Sequence, residues 1–258
     1  MKTQNPITVS VIVPVYNEET TVSQVVEVLL SMQVFCEVIC INDGSTDRSQ
    51  RELEKFEKKI MLISLIENQG KGKALAAGID KATGDLVAFI DADLTNLSEN
   101  HVEALLSPLL QGEADAVLGY AKRGELPNLT AHLTGQRVYK RMDLLPHLDQ
   151  IAPSRFGVEV LLNEIFQDKR VTMVPLQDLV GLTKAEKRTP IQAVREYVEE
   201  ANEIVNQLLR MKAPTLWAIL SPSEKFMMRC RGVDSTHPSI GSRHAGFVEI
   251  KDGRTSKC

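Results

Sequence analysis

The chain has 258 residues, 43% of them hydrophobic and 25% charged, with a net charge of −4; this is the balance of a globular protein and excludes disorder throughout. No apolar run approaches the roughly 18 residues that span a bilayer, and the opening MKTQNPITVS lacks the basic and apolar regions of a signal peptide, so a cytoplasmic location is expected. The acidic balance, without a Lys/Arg stripe interleaved with aromatics, argues against a nucleic-acid partner, and Cys36, Cys40, Cys230 and Cys258 have no zinc-like spacing, which leaves them as ordinary thiols.

Two periodicities alternate over the first 120 residues. VSVIVPVY (9–16) reads as a strand, and Val22, Val25, Val26, Leu29 and Leu30 then recur at helical spacing. EVICIND is the second strand, followed by GSTDRSQRELEKF, whose small polar start can cap a helix. IMLISLI is a third strand, GKGKALAAGIDKA a third helix and LVAFI a fourth strand; His101 to Leu110 forms a further helix and ADAVLGY a fifth strand. Repeated β-α units at this spacing predict a doubly wound, mainly parallel α/β sheet flanked by helices. Beyond Tyr120 come a polar stretch, a helix-like LTGQRVYKRMDLL, the segment SRFGVEVLLNEIF and a β-like VTMVPLQ. Ile191, Val194, Val198, Ala201, Val205 and Leu208 then line one face of a long helix that starts after Pro190. Residues 214–258 lack periodicity and carry seven Lys/Arg against four Asp/Glu, the mark of a loosely ordered tail. The expected organisation is therefore 1–120, 121–189, a helix at 190–213 and a tail at 214–258.

Two common nucleotide signatures are missing. The first strand runs into PVYNEE rather than G-x-G-x-x-G, and GKGKALAAG has the wrong spacing for a phosphate loop, so a dehydrogenase or kinase is disfavoured. What remains is a set of polar residues at strand carboxyl ends: Asn17-Glu18, Asp43, Asn68 to Lys73, and Asp91-Ala92-Asp93. Parallel strands put those ends along one edge, so the segments should converge in one crevice. Hard divalent ions such as Mg²⁺ or Mn²⁺ favour one or two carboxylates plus phosphate oxygens, a task open to Asp91 and Asp93. Such an ion would act as a Lewis acid on a departing diphosphate. Lys71 and Lys73 stand near a helix start, which itself attracts phosphate, and Asp43 can accept hydrogen bonds from a base or ribose. Each segment also has a purely structural reading: Asp-x-Asp and NDGSTD as turns and helix caps, the lysines as exposed charges.

The stretches VIVPVYNEE (11–19), INDGSTD (41–47), ENQGKGKALAAGI (67–79) and FIDADL (89–94) together resemble the family-2 nucleotide-sugar glycosyltransferases, whose fold is called GT-A. The resemblance implies a nucleoside diphosphate sugar donor, UDP-linked by preference, and a divalent metal, Mg or Mn. It places Pro14, Tyr16, Glu18 and Asp43 at the nucleoside, Lys71 and Lys73 near the donor, Asp93 on the metal, and Asp91 toward the metal, ribose or sugar. The second half, through LTGQRVYKR (133–141) and FGVEVLLNE (156–164), is similar to a narrower group that includes glucosyl-phosphoglycerate synthases and polyprenyl-phosphate sugar transferases. This implies Gly135, Gln136 and Arg137 on the acceptor side and Glu159 as the catalytic carboxylate near the reacting sugar. Glu159 reads equally well as part of a solvated helix face.

One departure stands out. Relatives often carry a histidine after the strand equivalent to VTMVPLQ, whereas this chain reads DLVGLTKAEKR, with Asp178 as the nearest substitute. The expected reaction is transfer of a hexose to a hydroxyl or phosphate acceptor, such as a polyprenyl phosphate or a small phosphorylated metabolite. Inversion is favoured, and retention stays open. A sugar nucleotidyltransferase would need a Gly-rich basic loop after the first strand, which PVYNEE is not. A non-catalytic nucleotide-sugar binder is the other rival. For the long helix, packing or homodimerisation is favoured over peripheral membrane contact, because Glu196, Glu199, Glu200 and Glu203 give its polar face the wrong charge for anionic lipid.

Overall fold

A computed structural model describes residues 6–122 and 131–182, together with Val198, Ala201, Asn202, Val205 and Leu209. Strand β1 (Val9–Val15) occupies the middle of a seven-stranded sheet, with β2 (Phe35–Asp43) on one side and β4 (Leu86–Phe89) on the other, both parallel to it. Strand β3 (Met61–Leu65) lies parallel to β2 at the outer edge. Nearly every residue of β1 is buried because the sheet is covered on both faces, which is why the strand reads as a continuous apolar run. Val11, Val13 and Val15 pack on one side with α1 (Val22–Ser31) and α4 (Glu99–Leu110); Ile12, Ile39 and Ile41 pack on the other with α3 (Lys71–Lys81) and α7 (Val158–Ile165). Cys40 belongs to the first layer, and burial pushes its thiol up to about 12, so it serves as a small apolar residue.

The far side of the sheet carries an antiparallel strand within the mainly parallel sheet that the sequence predicts. LTGQRVYKR does not begin a helix: Gln136–Lys140 form β6, inserted antiparallel between β4 and β5 (Ala116–Lys122), and only Arg141–Leu144 turn into a short helix, α5. Its apolar signature is hidden because Gln136 and Arg137 are polar yet buried, while Tyr139 fills the core between the rings of Phe89 and Phe166. Strand β7 (Val171–Gln177) closes the sheet parallel to β5, giving the order β3-β2-β1-β4-β6-β5-β7. The remaining helices are α2 (Ser49–Glu54), preceded by a longer loop than the sequence suggests, and α6 (Leu148–Ile151), which runs through a 3-10 segment (Ala152–Gly157) into α7.

Helix α4 starts at Glu99, two residues before its expected start, because Ser98 and His101 form a capping box. His101 Nδ1 accepts from the Ser98 amide at 3.2 Å, and its Nε2 reaches the Gln177 carbonyl at 2.8 Å, fastening α4 to the end of β7. Of the expected long helix, Val198, Ala201, Asn202, Val205 and Leu209 are helical and exposed; the rest of that stretch and residues 214–258 lie outside the described residues.

Helix α3 comes unusually close to the sheet. A Cβ on Gly78 would lie 2.6 Å from Ile12 Cγ2 and 2.9 Å from Ile41 Cδ1, both in the buried layer. Gly78→Val is expected to cost about 2 kcal/mol by overpacking, despite the better helix propensity of valine over glycine. Urea unfolding checks this; an unchanged midpoint would contradict the close packing of α3.

Candidate active site

The carboxyl ends of β1, β2, β3 and β4 meet along one edge, and the entry to the antiparallel β6 is brought to the same edge because Arg137 pairs with Phe89 near the end of β4. The loop after β1 is stitched to the loop after β2. Asn17, at φ 57°, accepts the Thr46 and Asp47 amides at 2.7 and 3.3 Å. The Asn17 amide donates to Ser45 Oγ at 2.9 Å, and the Glu18 amide to Ser49 Oγ at 2.7 Å. The Glu18 carbonyl in turn accepts the Thr21 and Val22 amides and so starts α1. Pro14 and Tyr16 sit half-buried at this rim.

Asp43 ends β2 almost fully buried, and its two oxygens each accept a backbone amide at 2.8 Å, from Gln69 and from Gly70. Burial raises its pKa, opposed by those two amides and by the nearby charge of Arg155. Gly44, at φ 65°, has no room for a side chain, because a Cβ there would lie 2.3 Å from the Glu67 carbonyl carbon. Asp43 therefore fixes the path of residues 67–70 into α3, a structural duty alongside any contact with a ligand.

The first turn of α3 carries the densest charge in the crevice. Lys71 Nζ lies 2.7 Å from Asp91 Oδ1 and 2.7 Å from Glu159 Oε1, with side-chain exposures of 17%, 26% and 12% respectively. Burial alone would push the lysine pKa down; the two carboxylates more than reverse this and hold it well above its ordinary value. The ammonium is thus permanently charged, and the trio carries one net negative charge. Asp91 Oδ2 also accepts from Gln136 Nε2 at 3.1 Å. Gly135 is required beside it, since a Cβ there would fall 2.0 Å from Asp91 Oδ2. Lys73 is half-buried in the same turn and joins none of the ion pairs found among the described residues.

Asp93, two residues on, lines a cleft of about 280 Å³ with Asp91, Tyr120, Leu133, Gly135 and Gly181. The Asp93 carbonyl accepts the Leu182 amide, and Leu94 bridges Gly181, so the chain after β7 lies directly against Asp93. A Cβ on Gly181 would stand 3.3 Å from Asp93 Oδ1. The place where a further side chain could meet this carboxylate is therefore taken by glycine. Asp178, the substitute suggested by the sequence, sits in a positive-φ turn and is exposed, with its backbone tied to Lys122 and Asn96. Among the described residues no group of three or more His, Cys, Asp or Glu is placed to hold a metal ion by itself.

The structure thus brings Asp43, Lys71, Asp91, Asp93, Gly135, Gln136 and Glu159 to one edge. Arg137 points instead into the core. It is 1% exposed, with Nε donating to the Thr134 carbonyl at 2.6 Å, Nη1 to Asn163 Oδ1 at 2.8 Å and Tyr139 Oη at 3.0 Å, and Nη2 to the His132 carbonyl at 2.6 Å. It braces the turn before β6 against α7. Arg155 was not singled out by the sequence. It has φ 49° and ψ −122°, a conformation that belongs to glycine and costs another residue roughly 1–3 kcal/mol. Gly70 and Gly72 make room for this segment: a Cβ on Gly70 would lie 2.9 Å from Arg155 Cα, and one on Gly72 would lie 2.4 Å from the Ile151 carbonyl oxygen. The G-K-G spacing around Lys71 is accordingly a packing requirement of the 151–155 segment.

The sheet order, with one antiparallel strand beside the acidic edge, defines the GT-A architecture. Residues 10–174 match the family model described as glycosyl transferase family 2, and the chain belongs to that family. Its sequence is similar to an uncharacterized glycosyltransferase of Synechocystis, 39% identical over 36% of this chain and 31% of that one. It is also similar to an undecaprenyl-phosphate 4-deoxy-4-formamido-L-arabinose transferase of Shewanella sediminis, 28% identical over 78% of this chain and 54% of that one. A dodecaprenyl-phosphate galacturonate synthase of Rhizobium johnstonii is 33% identical over 44% and 36% of the two chains. The matched stretch thus spans 31% to 54% of these relatives. Among solved structures, glucosyl-3-phosphoglycerate synthase of Mycobacterium tuberculosis, in complex with Mn²⁺, UDP and phosphoglyceric acid, superposes with a TM-score of 0.62 at 25% identity over 79% and 78% of the chains. Among the described residues no helix is long and apolar enough to cross a membrane.

Removing the shared cation should expose the repulsion that it screens. In Lys71→Met, Asp91 and Glu159 lose their common partner, and one of them can lower the energy by binding a proton in the folded state. That raises a folded-state carboxylate pKa above its unfolded value, so the variant loses stability as pH rises. We expect Lys71→Met to be destabilised by about 3 kcal/mol at pH 8 and by much less at pH 5, read by urea unfolding at the two pH values. Equal loss at both would mean that the carboxylates do not share one ammonium.

Proposed function

We propose that this chain transfers a hexose from a nucleoside diphosphate sugar, UDP-linked, to an acceptor that bears a phosphate. The observation that carries the reading is the meeting of Asp43, Lys71, Asp91, Asp93 and Glu159 at the carboxyl edge of β1, β2 and β4. That edge is where open α/β sheets bind ligands. Support for the chemistry comes from the names of the relatives, which include two polyprenyl-phosphate sugar transferases, and from the Mn²⁺, UDP and phosphoglyceric acid of the structural neighbour.

The residues fit a divalent ion in a particular way. Asp93 lines the cleft beside a glycine, and one carboxylate completed by diphosphate oxygens is an ordinary shell for Mg²⁺ or Mn²⁺. When bound, such an ion neutralises the charge of the departing diphosphate. Asp91 is engaged by Lys71 and Gln136, and so serves as an orienting group facing the donor sugar.

Glu159 was expected as the base. One of its oxygens, however, is already taken up by Lys71 Nζ at 2.7 Å. A phosphate acceptor is already an anionic nucleophile and needs no base, so this geometry favours phosphate over hydroxyl, and Glu159 then holds Lys71 in place. The acceptor enters on the side of Gly135 and Gln136, next to Asp91.

The test is transfer of labelled sugar from UDP-glucose or GDP-mannose, with Mn²⁺, to undecaprenyl phosphate or to 3-phosphoglycerate. Turnover on one acceptor is expected, and Asp93→Ala should reduce it about a hundredfold or more while leaving the thermal midpoint unchanged. Donor binding without turnover on any acceptor would instead favour a nucleotide-sugar binder, and an Asp93→Ala variant of full activity would remove that carboxylate from the site.

A further inference from the structure

Resting on the donor reading above, we propose that Arg155 is a binding residue for the diphosphate of the nucleotide donor, held over the start of α3 by a backbone turn that only its side-chain function justifies.

Three independent observations converge on it. The first is conformational: φ 49° with ψ −122° is glycine territory, and Arg155 adopts it among neighbours that hold it there. Pro153 restricts the entry to the turn, and Ile151 and Ser154 press on Gly72. A glycine at position 155 would relieve the strain, whereas arginine supplies a guanidinium. Strain of this kind, at the rim of a site, points to a role for the side chain.

The second is position. The Arg155 Cα, Cβ and Cγ all lie 2.9 Å from where a Gly70 Cβ would be, so the side chain starts out directly over Gly70. Gly70 is the residue whose amide binds Asp43, and the Arg155 charge is close enough to Asp43 to draw that carboxyl's pKa down. Arg155 therefore stands beside Asp43 and over the residue that precedes Lys71, while remaining exposed to solvent.

The third is charge. A diphosphate entering this edge meets Asp43, Asp93 and the Lys71 trio with its net negative charge. Lys71 is shared between two carboxylates, and Arg137 is buried behind β6. An exposed guanidinium on the rim offsets this excess, and its planar fork suits two phosphate oxygens at once.

The experiment compares the wild-type chain with Arg155→Gly, titrating UDP and uridine by NMR and recording thermal unfolding. Loss of a charge-assisted phosphate contact should weaken UDP about tenfold or more, leave uridine binding unchanged, and accompany a thermal midpoint raised by a few degrees as the strain is released. Equal affinity of both proteins for UDP would overturn the assignment while leaving the donor reading intact. A parallel loss of UDP and uridine would also overturn it, since Arg155 would then act on the nucleoside or on the shape of the crevice. If the wild type bound neither ligand, the donor reading itself would fall, and this proposal with it.

Discussion

One ammonium group shared by two carboxylates organises this molecule's working edge. Lys71 is the first residue of α3, Asp91 follows β4, and Glu159 is the second residue of α7. The contact therefore joins the early β-α repeats to the later, irregular part of the chain. A largely buried lysine is costly unless paired, and the pairing imposes conditions on its surroundings. Gly70 and Gly72 must lack side chains so that residues 151–155 can settle on the helix start and bring α7 within reach. Gly135 must lack one so that Asp91 can stand where it meets both Lys71 and Gln136.

Much of this was legible in the sequence, for a physical reason. Strands β1, β2 and β4 are covered on both faces, so their residues had to be apolar in unbroken runs, and the polar residues that end those runs stand out. The family-2 likeness rests on those same four segments, and the match over residues 10–174 bears it out. Strand β6 was read as helix because buried Gln136 and Arg137 break the apolar pattern; what makes them compatible with the core is a set of hydrogen bonds to residues distant in sequence. Those same bonds make Arg137 a brace between the turn before β6 and α7. The backbone of Arg155 could not be foreseen either, since no sequence rule places an arginine at positive φ. Nor could the place of Gly181 against Asp93, which depends on how β7 ends.

The arrangement also bears on chemistry. With Lys71 held charged between Asp91 and Glu159, the edge presents charges that are already paired and placed, and preorganised charge of this kind is a main resource for stabilising a developing anion. Asp93, backed by glycine, offers its carboxylate to the cleft. The end of β4, the start of α3 and the start of α7 are thus tied through one cation, so that disturbing either carboxylate is felt by the other.

That linkage is measurable without any ligand. A double-mutant cycle on Asp91→Asn and Glu159→Gln, read by urea unfolding at pH 7.5, measures the coupling between two carboxylates that both pair with Lys71. Of the two anionic partners that Lys71 has among the described residues, each single variant leaves one and the double variant leaves a mostly buried ammonium with neither. The double loss should therefore exceed the sum of the single losses by about 1 kcal/mol or more; additive losses would contradict the shared cation as the organising contact of the site.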